Sequence, residues 1–333
     1  MTIFIDSACD ILYSSFYIKG LQECFGKKNI HFKNRPFSSF PFNNHYFAFI
    51  IKGEGDEKKV IIDYADSSII DREALAWSDC YGKVNIDEKE PNDTEKLISI
   101  GPSFGIHIFS LAKTLFLSIS NYLISWKRIV HVRRFFSNYK AQFYRPRIND
   151  YYPCCEKKNY VFFAGSLWKK ELKTNSYRAN FIKACLSDKS IDFEGGFAPR
   201  TNNDLQGYEE ITMQSSVAMK EYVKKLKQST VAFNTPAVRG CHGWKLAEFL
   251  CFGKSIISTP LYRKMPIDLE NGKQFILTDG SYEDIKKKLA SLMDNSELRN
   301  HLKENARAYY ENVLAPSKVI QRILCLNNSK SNE

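Results

Sequence analysis

A lysine and a glutamate follow two loop glycines in the second half of the chain. The glycines are Gly240 and Gly243, and the charged residues, Lys245 and Glu248, stand three apart on a predicted helix. Glycines allow close backbone approach, and the free N–H groups and dipole of a helix start attract anions. Residues three apart share a helix face. The spacing predicts a site where the lysine meets a diphosphate and the glutamate accepts hydrogen bonds from a ribose diol.

Predicted strands flank this loop and helix. The apolar run Val231-Ala232-Phe233 predicts a short strand, and an apolar-periodic helix begins near Trp244. Gly253 stops the helix, since glycine is common just past a helix end. Ser255 to Ser258 then predicts a buried parallel strand, which is typical of the α/β class. The candidate residues therefore lie between two strands of a predicted α/β sheet.

The string from Val231 to Leu277 resembles the donor-binding half of GT-B glycosyltransferases. In that family a glycine loop, a helix with Lys-x-x-Glu, a Gly-Lys pair and an Ile/Val-rich strand ending in Ser-Thr-Pro follow one another. The match extends from about Tyr160 to Pro316. The residues that carry it are Gly243, Lys245, Glu248-Phe249, Gly253-Lys254, Ile256 to Pro260, Leu269 to Gly272 and the closing helix from Asp294 to Arg307.

The resemblance implies an α/β fold of two Rossmann-like domains that face a cleft. It implies a metal-independent hexosyltransferase of bacterial surface-polysaccharide synthesis, which moves a sugar from a nucleotide-diphosphate sugar to a glycan or lipid-linked acceptor. Many retaining members carry a first glutamate eight positions before the second, and Gly240 occupies that place here, so only Glu248 is carried over. A GT-B-like sugar-nucleotide epimerase and a non-catalytic nucleotide-sugar-binding protein stay open as alternatives, because fold does not fix function.

Further cations of the donor half are candidates for stabilising the leaving group. Gly165 follows a predicted strand at the point where GT-B enzymes turn toward the donor phosphates, and Lys169 and Arg178 come after it. The diphosphate gains negative charge as the sugar bond breaks, and fixed cations stabilise that charge. Lys245, together with Lys169 or Arg178, is predicted to take this role. Lys169, next to Lys170, equally fits a solvated surface pair.

Two more residues of the donor half are candidates for contacts with the donor. His242, in the glycine loop, would donate to a phosphate or to the donor sugar, and a loop histidine satisfied by backbone groups is an equal alternative. Glu270 resembles the position that contacts donor hydroxyls in related enzymes, whereas Asn271-Gly272 also fits a plain turn.

An inverting enzyme needs a catalytic base, which must come from the first domain. Asp63, Asp66 and Asp79 lie near predicted strand ends or loops, and His107 follows a glycine-containing loop. A carboxylate or an imidazole can take the proton of an acceptor hydroxyl. Asp63 and His107 are the candidate catalytic residues carried forward, and the stereochemistry of the reaction stays open.

The cysteine and carboxylate patterns argue against a metal site and a disulfide framework. The nine cysteines are scattered without a C-x-x-C pair, and no Asp-x-Asp occurs. Such cysteines are typical of reduced thiols in the cytoplasm. Met1 to Asp6 lacks the features of a signal peptide and predicts a strand instead. We predict a cytoplasmic protein without metal or cofactor, for which the nucleotide-sugar is a co-substrate.

Length and a link with two prolines predict two domains. A chain of 333 residues is longer than a single hydrophobic core usually supports. The segment from Tyr144 to Pro153, with its prolines and polar residues, suits a boundary between domains. We predict an acceptor-binding Rossmann-like domain at 1–150, a donor-binding one at 151–316 and a helix or tail at 317–333. The elements predicted in the first domain are strands at Ile3–Ile5, Tyr46–Lys52, Val60–Asp63 and Leu97–Ile100 and helices at Asp71–Trp77 and Ser110–Trp126.

An apolar stretch followed by cations is a pattern that also occurs in proteins that bind a membrane surface. Phe104 to Trp126 is apolar but broken by polar residues, which disfavours a spanning helix. No acidic residue occurs from Lys96 to Asn149, and the second half of that stretch is crowded with cations. They are Lys127, Arg128, Arg133, Arg134, Lys140, Arg145 and Arg147.

These cations leave two interpretations of equal weight. The apolar helix and the cations could lie against the anionic inner face of a membrane, or they form a core helix with a solvated basic edge. Nucleic-acid binding is disfavoured, because the net charge of +11 is spread over the chain and no recognition module occurs.

Overall fold

The chain divides into two compact units in the computed structural model. The structure describes residues 1–53, 55–89, 95–201, 204–205 and 207–325. Unit 1 comprises Met1–Arg147, Arg263–Ile267 and Asn312–Glu333, and unit 2 comprises Ile148–Tyr262 and Asp268–Glu311. Helices and strands alternate in both units, which confirms the predicted α/β class.

Unit 1 is built on a mixed sheet. Its strands are β1 (Thr2–Asp6), β2 (Ile30–Lys33), β3 (Tyr46–Lys52), β4 (Glu57–Asp63), β5 (Cys80–Lys83) and β6 (Leu97–Ser99). Their order is β2-β1-β3-β4-β5-β6. β3 runs antiparallel to β1 and β4, and the other neighbours are parallel. A short turn can join β3 to β4 because antiparallel strands need no crossover.

Short polar side chains start three helices of unit 1. The helices before residue 147 are α1 (Ile11–Phe25), α2 (Arg72–Trp77), α3 (Leu111–Ser125) and α4 (Val132–Tyr144). Asp10, Asp71 and Ser110 accept hydrogen bonds from first-turn N–H groups of α1, α2 and α3. The predicted helices α2 and α3 are confirmed within one residue at each end. The sequence did not predict α1, α4, β2 or β5.

The strands of unit 2 form two groups that pair in parallel. They are β7 (Tyr160–Gly165) with β8 (Asp192–Phe197), and β9 (Val231–Asn234), β10 (Ser255–Ser258) and β11 (Ile276–Leu277) with β10 in the middle. β7 packs beside β9, and Thr230 N donates to Tyr160 O across this junction at 2.7 Å. The order across unit 2 is therefore β8-β7-β9-β10-β11.

Aromatic side chains fill the core between the strands and helices of unit 2. The helices are α5 (Leu172–Ser187), α6 (Met219–Gln228), α7 (Trp244–Phe252), α8 (Tyr282–Asp294) and α9 (Ser296–Tyr309). Phe181 of α5 stacks on Phe233 of β9 with ring centroids 4.4 Å apart. Ser281 accepts from Asp284 N, which confirms the predicted N-terminal cap of α8.

A late helix, α10 (Pro316–Ile323), belongs to unit 1 and packs against α1. The two helices approach closely at Gly20, where an added Cβ would lie only 2.2 Å from the carbonyl oxygen of Pro316. Glycine is therefore required at this crossing, because any side chain would push α10 away from α1.

The structure places the first boundary near the predicted one and adds later segments to unit 1. The chain passes from unit 1 to unit 2 between Arg147 and Ile148, against a predicted boundary at 150. Arg263 returns to unit 1, where it donates to Asp87 at 2.9 Å. The predicted tail at 317–333 contains α10, and residues 326–333 lie outside the described residues. The cleft expected between the domains stays a prediction.

Candidate functional site

The carboxyl ends of β7 and β9 meet where the strand order of unit 2 reverses. The chain continues from β7 to β8 on one side, and from β9 to β10 on the other. In open α/β sheets, ligands bind in the crevice outside the carboxyl ends of the strands at such a switch point. Gly165 ends β7, and the loop from Thr235 to Gly243 follows β9. Several predicted donor residues lie at this point.

Gly165 allows Arg178 to pack against the end of β7. A Cβ atom at position 165 would lie 2.8 Å from the ring of Phe163 and 3.5 Å from Cδ of Arg178. Because the first distance is shorter than real Cβ contacts, a larger residue would displace the ring. The ring of Phe163 thus requires glycine at this position, and Arg178 packs beside it at an ordinary contact distance.

Arg178 is a buried cation that joins the loops after β7 and β9. Its Nε donates to Oγ1 of Thr235 at 2.9 Å, and its Nη1 donates to the carbonyl of Ser166 at 2.7 Å. Its side chain is only 6% exposed. Burial lowers the pKa of Arg178 to about 10, so the guanidinium stays charged at neutral pH. A fixed positive charge therefore lies between the two strand ends.

Lys245 places a second cation at the same point. It lies in the first turn of α7, and its Nζ donates to the carbonyl oxygen of Ala164 and lies 5.1 Å from the ring centre of Phe163. Burial, and then the charge of Arg178, lower the pKa of Lys245 to about 7, and Glu248 acts in the opposite direction. Both protonation states of Lys245 are therefore accessible near neutral pH. A bound anion would favour its protonated form.

Glu248 lies one turn deeper on α7 and is buried. Its side chain is 3% exposed, and its Oε2 accepts a hydrogen bond from the hydroxyl of Tyr222 on α6 at 3.1 Å. Lys245 and Glu248 lie close enough to interact, because the carboxylate raises the pKa of the lysine. Tyr222 was not predicted, since the contact joins residues that are distant in the sequence.

The loop between β9 and α7 has an unusual backbone. Arg239 and Gly240 have φ angles of 58° and 70°, in the left-handed region that non-glycine residues rarely adopt. Arg239 N donates to Oε1 of Glu171 at 2.8 Å, which holds this part of the loop. Gly243 is the N-cap of α7 and has no side chain to cap the helix. Leu246 N donates to the carbonyl oxygen of Gly243 at 3.2 Å, and the positive end of the helix dipole faces the loop, where it attracts an anion.

His242 lies inside this loop. It is buried, 6% exposed, and it lines a narrow concavity together with Thr235, Gly240, Gly243 and Tyr262. His242 thus lies in the loop that Arg178 contacts through Thr235 and that leads into α7, and its predicted contact with the donor stays a prediction.

Two predicted donor residues lie outside the buried cluster. Lys169 is exposed on the turn before α5, as expected for a solvated lysine. Glu270 is exposed in a turn, where its Oε1 accepts from Nζ of Lys273 at 2.8 Å and its backbone N–H donates to Gln274. Between Lys169 and Arg178, the cation that joins Lys245 is therefore Arg178.

Asp63 occupies a buried ion pair in unit 1 rather than an open site. Its Oδ2 accepts from Nζ of Lys83 at 2.5 Å and from the hydroxyl of Tyr81 at 2.8 Å, and its Oδ1 accepts from Ala65 N at 2.8 Å. Both carboxylate oxygens are engaged, and the side chains of Asp63 and Lys83 are almost fully buried. This geometry corrects the assignment of Asp63 as a base, since removing either partner would leave a buried charge.

His107 is the second candidate base of unit 1. Its Nδ1 lies 2.6 Å from the carbonyl oxygen of Phe143, and its ring packs against the ring of Phe143. The alternatives Asp66 and Asp79 are exposed, and Asp79 accepts from Lys59 N at 2.7 Å. The structure shows a positioning contact for His107 and leaves its catalytic role a prediction.

Lys254, from the Gly-Lys pair of the motif, is structural. Its Nζ donates to the carbonyl oxygens of Lys227 and Ser229 at 2.8 and 2.5 Å and to Oε1 of Glu156 at 3.0 Å. It is 3% exposed. Lys254 therefore fixes the link between α6 and β9, on which the position of the site loop depends.

A second polar concavity, in unit 1, was not predicted from the sequence. Asp10, His131, Arg134 and Asn138 are among the residues that line it. Asp10 accepts from Nδ2 of Asn138 at 2.6 Å, and burial raises its pKa. The available signal was an aspartate directly before the apolar run that begins at Ile11, which is also the signal of a helix cap. With a volume of about 30 Å³, the concavity has room for a water molecule rather than for a sugar.

The described residues show neither a cluster of metal ligands nor a disulfide bond. Within the described ranges, no group of three or more histidine, cysteine, aspartate or glutamate side chains could hold a metal ion. All nine cysteines are free. Independence of metal stays a prediction, because the reaction itself decides it.

Comparisons with known proteins give remote likenesses. No protein-family model and no curated protein matches the chain. A Listeria monocytogenes protein proposed to be a UDP-N-acetylglucosamine 2-epimerase is similar with a TM-score of 0.46 and 11% identity, over 96% of this chain and 93% of that chain. A glycosyltransferase from Rickettsia africae ESF-5 has a TM-score of 0.45 and 11% identity, over 96% and 82%.

A third solved structure was determined with a nucleotide. It is HepE from Anabaena in complex with UDP, which has a TM-score of 0.43 and 10% identity, over 75% of this chain and 72% of that chain. Glycosyltransferases are thus among the solved structures to which the chain is similar. Because all three TM-scores are below 0.5, the activity of this chain has to be argued from its own residues.

Proposed function

We propose that the chain is a glycosyltransferase that moves a hexose from a nucleotide-diphosphate sugar to a glycan or lipid-linked acceptor. One observation carries the proposal. Arg178 and Lys245, two cations whose pKa values are lowered by burial, lie together at the switch point of a parallel sheet, beside an uncapped helix start. The two cations repel each other, and Glu248 offsets only part of that repulsion, because the pKa of Lys245 stays lowered despite the carboxylate. A diphosphate supplies further negative charge.

The same arrangement can stabilise the leaving group. As the bond between the sugar and the diphosphate breaks, negative charge grows on the phosphate oxygens. Lys245 has three N–H donors, of which Ala164 accepts one, and α7 adds the positive end of its helix dipole. These donors are held in place before the reaction begins, which is the condition for effective electrostatic stabilisation. Glu248, one turn deeper, is proposed to accept hydrogen bonds from the ribose hydroxyls.

The acceptor and the cellular location belong to the same proposal. We infer a cytoplasmic enzyme of surface-polysaccharide synthesis that acts near the inner membrane face.

Donor turnover tests the proposal. A panel of UDP-, GDP- and CMP-sugars is expected to include one that raises the midpoint of thermal unfolding, because a ligand that binds only the folded state stabilises it. With that donor, nucleotide release that requires an acceptor and persists in chelator would support a metal-independent transferase. Isomerisation or release without acceptor would instead indicate an epimerase or hydrolase, and loss of activity in chelator, restored by magnesium or manganese, would overturn metal independence.

Replacing Glu248 with glutamine is expected to weaken nucleotide binding by about one to two orders of magnitude. The reason is that hydrogen bonds from the ribose to a charged carboxylate contribute about 1.5–3 kcal/mol. Glutamine keeps the volume and an acceptor for Tyr222, whereas alanine would leave that hydroxyl without this partner. Isothermal titration calorimetry with the nucleotide and with the nucleoside alone measures the effect.

The nucleoside titration separates ribose contacts from phosphate contacts. A matched control is Tyr222→Phe, which removes the hydrogen bond to Glu248 but keeps the carboxylate, and it should retain most of the affinity. Equal nucleoside affinity in Glu248→Gln and the wild type would contradict the ribose assignment.

A further inference from the structure

One side of α3 presents an uninterrupted apolar surface to solvent. The exposed residues on this side are Leu111, Leu115, Phe116, Ile119, Leu123, Ile124 and Trp126, which we call the α3 face. Phe116 and Leu123 are 68% and 64% exposed. The opposite side carries the residues that pack into unit 1, including Thr114, Leu117, Ser118 and Asn121. A soluble helix normally buries its apolar side, so the α3 face indicates a partner.

The spacing of the α3 face shows that it is continuous. Leu111, Leu115, Ile119 and Leu123 are each four residues apart, so they form one row along the helix. Phe116 and Trp126 lie beside this row. With 15 residues, α3 is about 22 Å long. No helix in the described part of the chain is long and apolar enough to cross a bilayer, so α3 could only lie along its surface.

Cations surround the α3 face, and acidic residues are missing from this segment of the sequence. Lys113, Lys127, Arg133 and Lys140 are exposed on α3, α4 and the link between them. Nζ of Lys127 lies 5.6 Å from the ring centre of Trp126. From 97 to 149 the sequence contains no aspartate or glutamate. The charge is therefore complementary to anionic lipid headgroups, and tryptophan and lysine are typical residues at a membrane interface.

Not all cations of the segment are available for a partner. Arg128 donates to both carboxylate oxygens of Asp6, at 2.8 and 2.9 Å, and its guanidinium lies 5.0 Å from the ring centre of Phe42. Arg134 lies 3.7 Å from Asp10. These two arginines have structural partners in unit 1, so the surface cations are the exposed lysines and Arg133.

A groove beside the α3 face provides a second, independent observation. It has a volume of about 320 Å³ and runs between α3, α1 and β2. Phe116 and Ile124 line it as well as belonging to the α3 face, and Lys27, Lys33 and Lys113 add positive charge. No carboxylate is present among the described residues of its lining. The apolar side chains of the groove fit an acyl chain, and its lysines fit the phosphate of the headgroup that the chain carries.

We propose that the α3 face docks on the surface of an anionic phospholipid bilayer, with a lipid headgroup in the adjoining groove. The apolar side chains enter the acyl boundary, and Lys113, Lys127 and Arg133 contact headgroup phosphates. This orientation places unit 1 at the membrane. Binding to vesicles needs no catalytic activity, so its result is separate from the outcome of the proposed function.

Co-sedimentation with mixed phosphatidylglycerol and phosphatidylcholine vesicles tests the proposal. The wild type is expected to bind them at low salt and to bind pure phosphatidylcholine vesicles much less. The variant Leu115→Gln, Ile119→Gln, Leu123→Gln should lower partitioning by at least about a hundredfold, because burial of apolar groups drives interfacial binding. A matched control replaces three other exposed apolar residues, Ile69, Leu172 and Leu186, with glutamine, and its partitioning should equal that of the wild type.

Two further measurements make the test specific. Replacing Lys113, Lys127 and Arg133 with glutamine should weaken binding about fivefold per removed charge. Trp126→Phe should remove most of the blue shift in tryptophan fluorescence that vesicles induce. Failure of the wild type to bind anionic vesicles, or equal binding to neutral ones, would overturn the proposal. A wild-type dimer that the glutamine variant of the α3 face converts to monomer would also overturn it, because a second copy would then cover the face.

Discussion

Lys245→Met is expected to lower turnover of the nucleotide-sugar about a hundredfold, since loss of one preorganised donor to a developing charge has an effect of about this size. Lys245 lies in the first turn of α7, at the switch point of the sheet. Arg178 and the helix start, which has no side-chain cap, lie at the same point. Methionine keeps the length of the side chain and removes the charge. Steady-state kinetics with the donor found in the panel would measure the change.

The stability of the variant separates a catalytic role from a structural one. Removing the ammonium relieves its repulsion with Arg178 but leaves the carbonyl oxygen of Ala164 without this donor. These effects oppose each other, so the unfolding midpoint without ligand should change little, while stabilisation by the donor should disappear. Lys220→Met, on the exposed side of α6, is the matched control. Donor stabilisation that survives in Lys245→Met would show that the anion binds elsewhere.

Donor affinity is expected to fall by about tenfold for each pH unit above 7, up to the pKa that Lys245 has with donor bound. The pKa of Lys245 is lowered to about 7 from 10.5, chiefly by burial, so the lysine is neutral in the free protein at higher pH. A diphosphate favours the charged lysine, and binding must then include proton uptake. The two phosphates of a sugar nucleotide keep their charge over this range, so the slope reports on the protein.

Calorimetry in buffers of different ionisation enthalpy would measure the proton uptake directly. Lys245→Arg should bind the donor with little dependence on pH, because arginine stays charged. Burial of the charged lysine destabilises the free protein below about pH 7, and this destabilisation disappears as pH rises toward 10.5. A flat pH profile for the wild type together with unchanged proton balance would contradict the assignment of Lys245 as the anion-binding group.

The part of the site that the sequence predicted is local in the chain. The short apolar run of β9, Gly243 before α7 and the buried strand β10 each leave a signal within a few residues, so strand, loop and helix were predicted with nearly the observed bounds. The spacing of Lys245 and Glu248 on one helix face follows from helix geometry alone.

The remaining features depend on contacts between distant residues. Burial lowers the pKa of Lys245, and Arg178 from another helix lowers it further, while the engagement of Asp63 requires Lys83 from the neighbouring strand. The apolar stretch of α3 showed hydrophobicity but not which side would be buried, because burial depends on how the rest of unit 1 packs around the helix. Lys254 matched a motif, and only its three oxygen partners show that its role is structural.

The packing of α10 on α1 has a consequence for synthesis of the chain. Most of unit 1 is made before unit 2, yet Gly20 of α1 meets Pro316 at the start of a helix made almost 300 positions later. Until that helix emerges, the apolar side of α1 that it covers stays open, including during folding of the intervening unit 2. The apolar side of α1 is therefore exposed to chaperones and to aggregation during synthesis, and unit 1 can close only after α10 has been made.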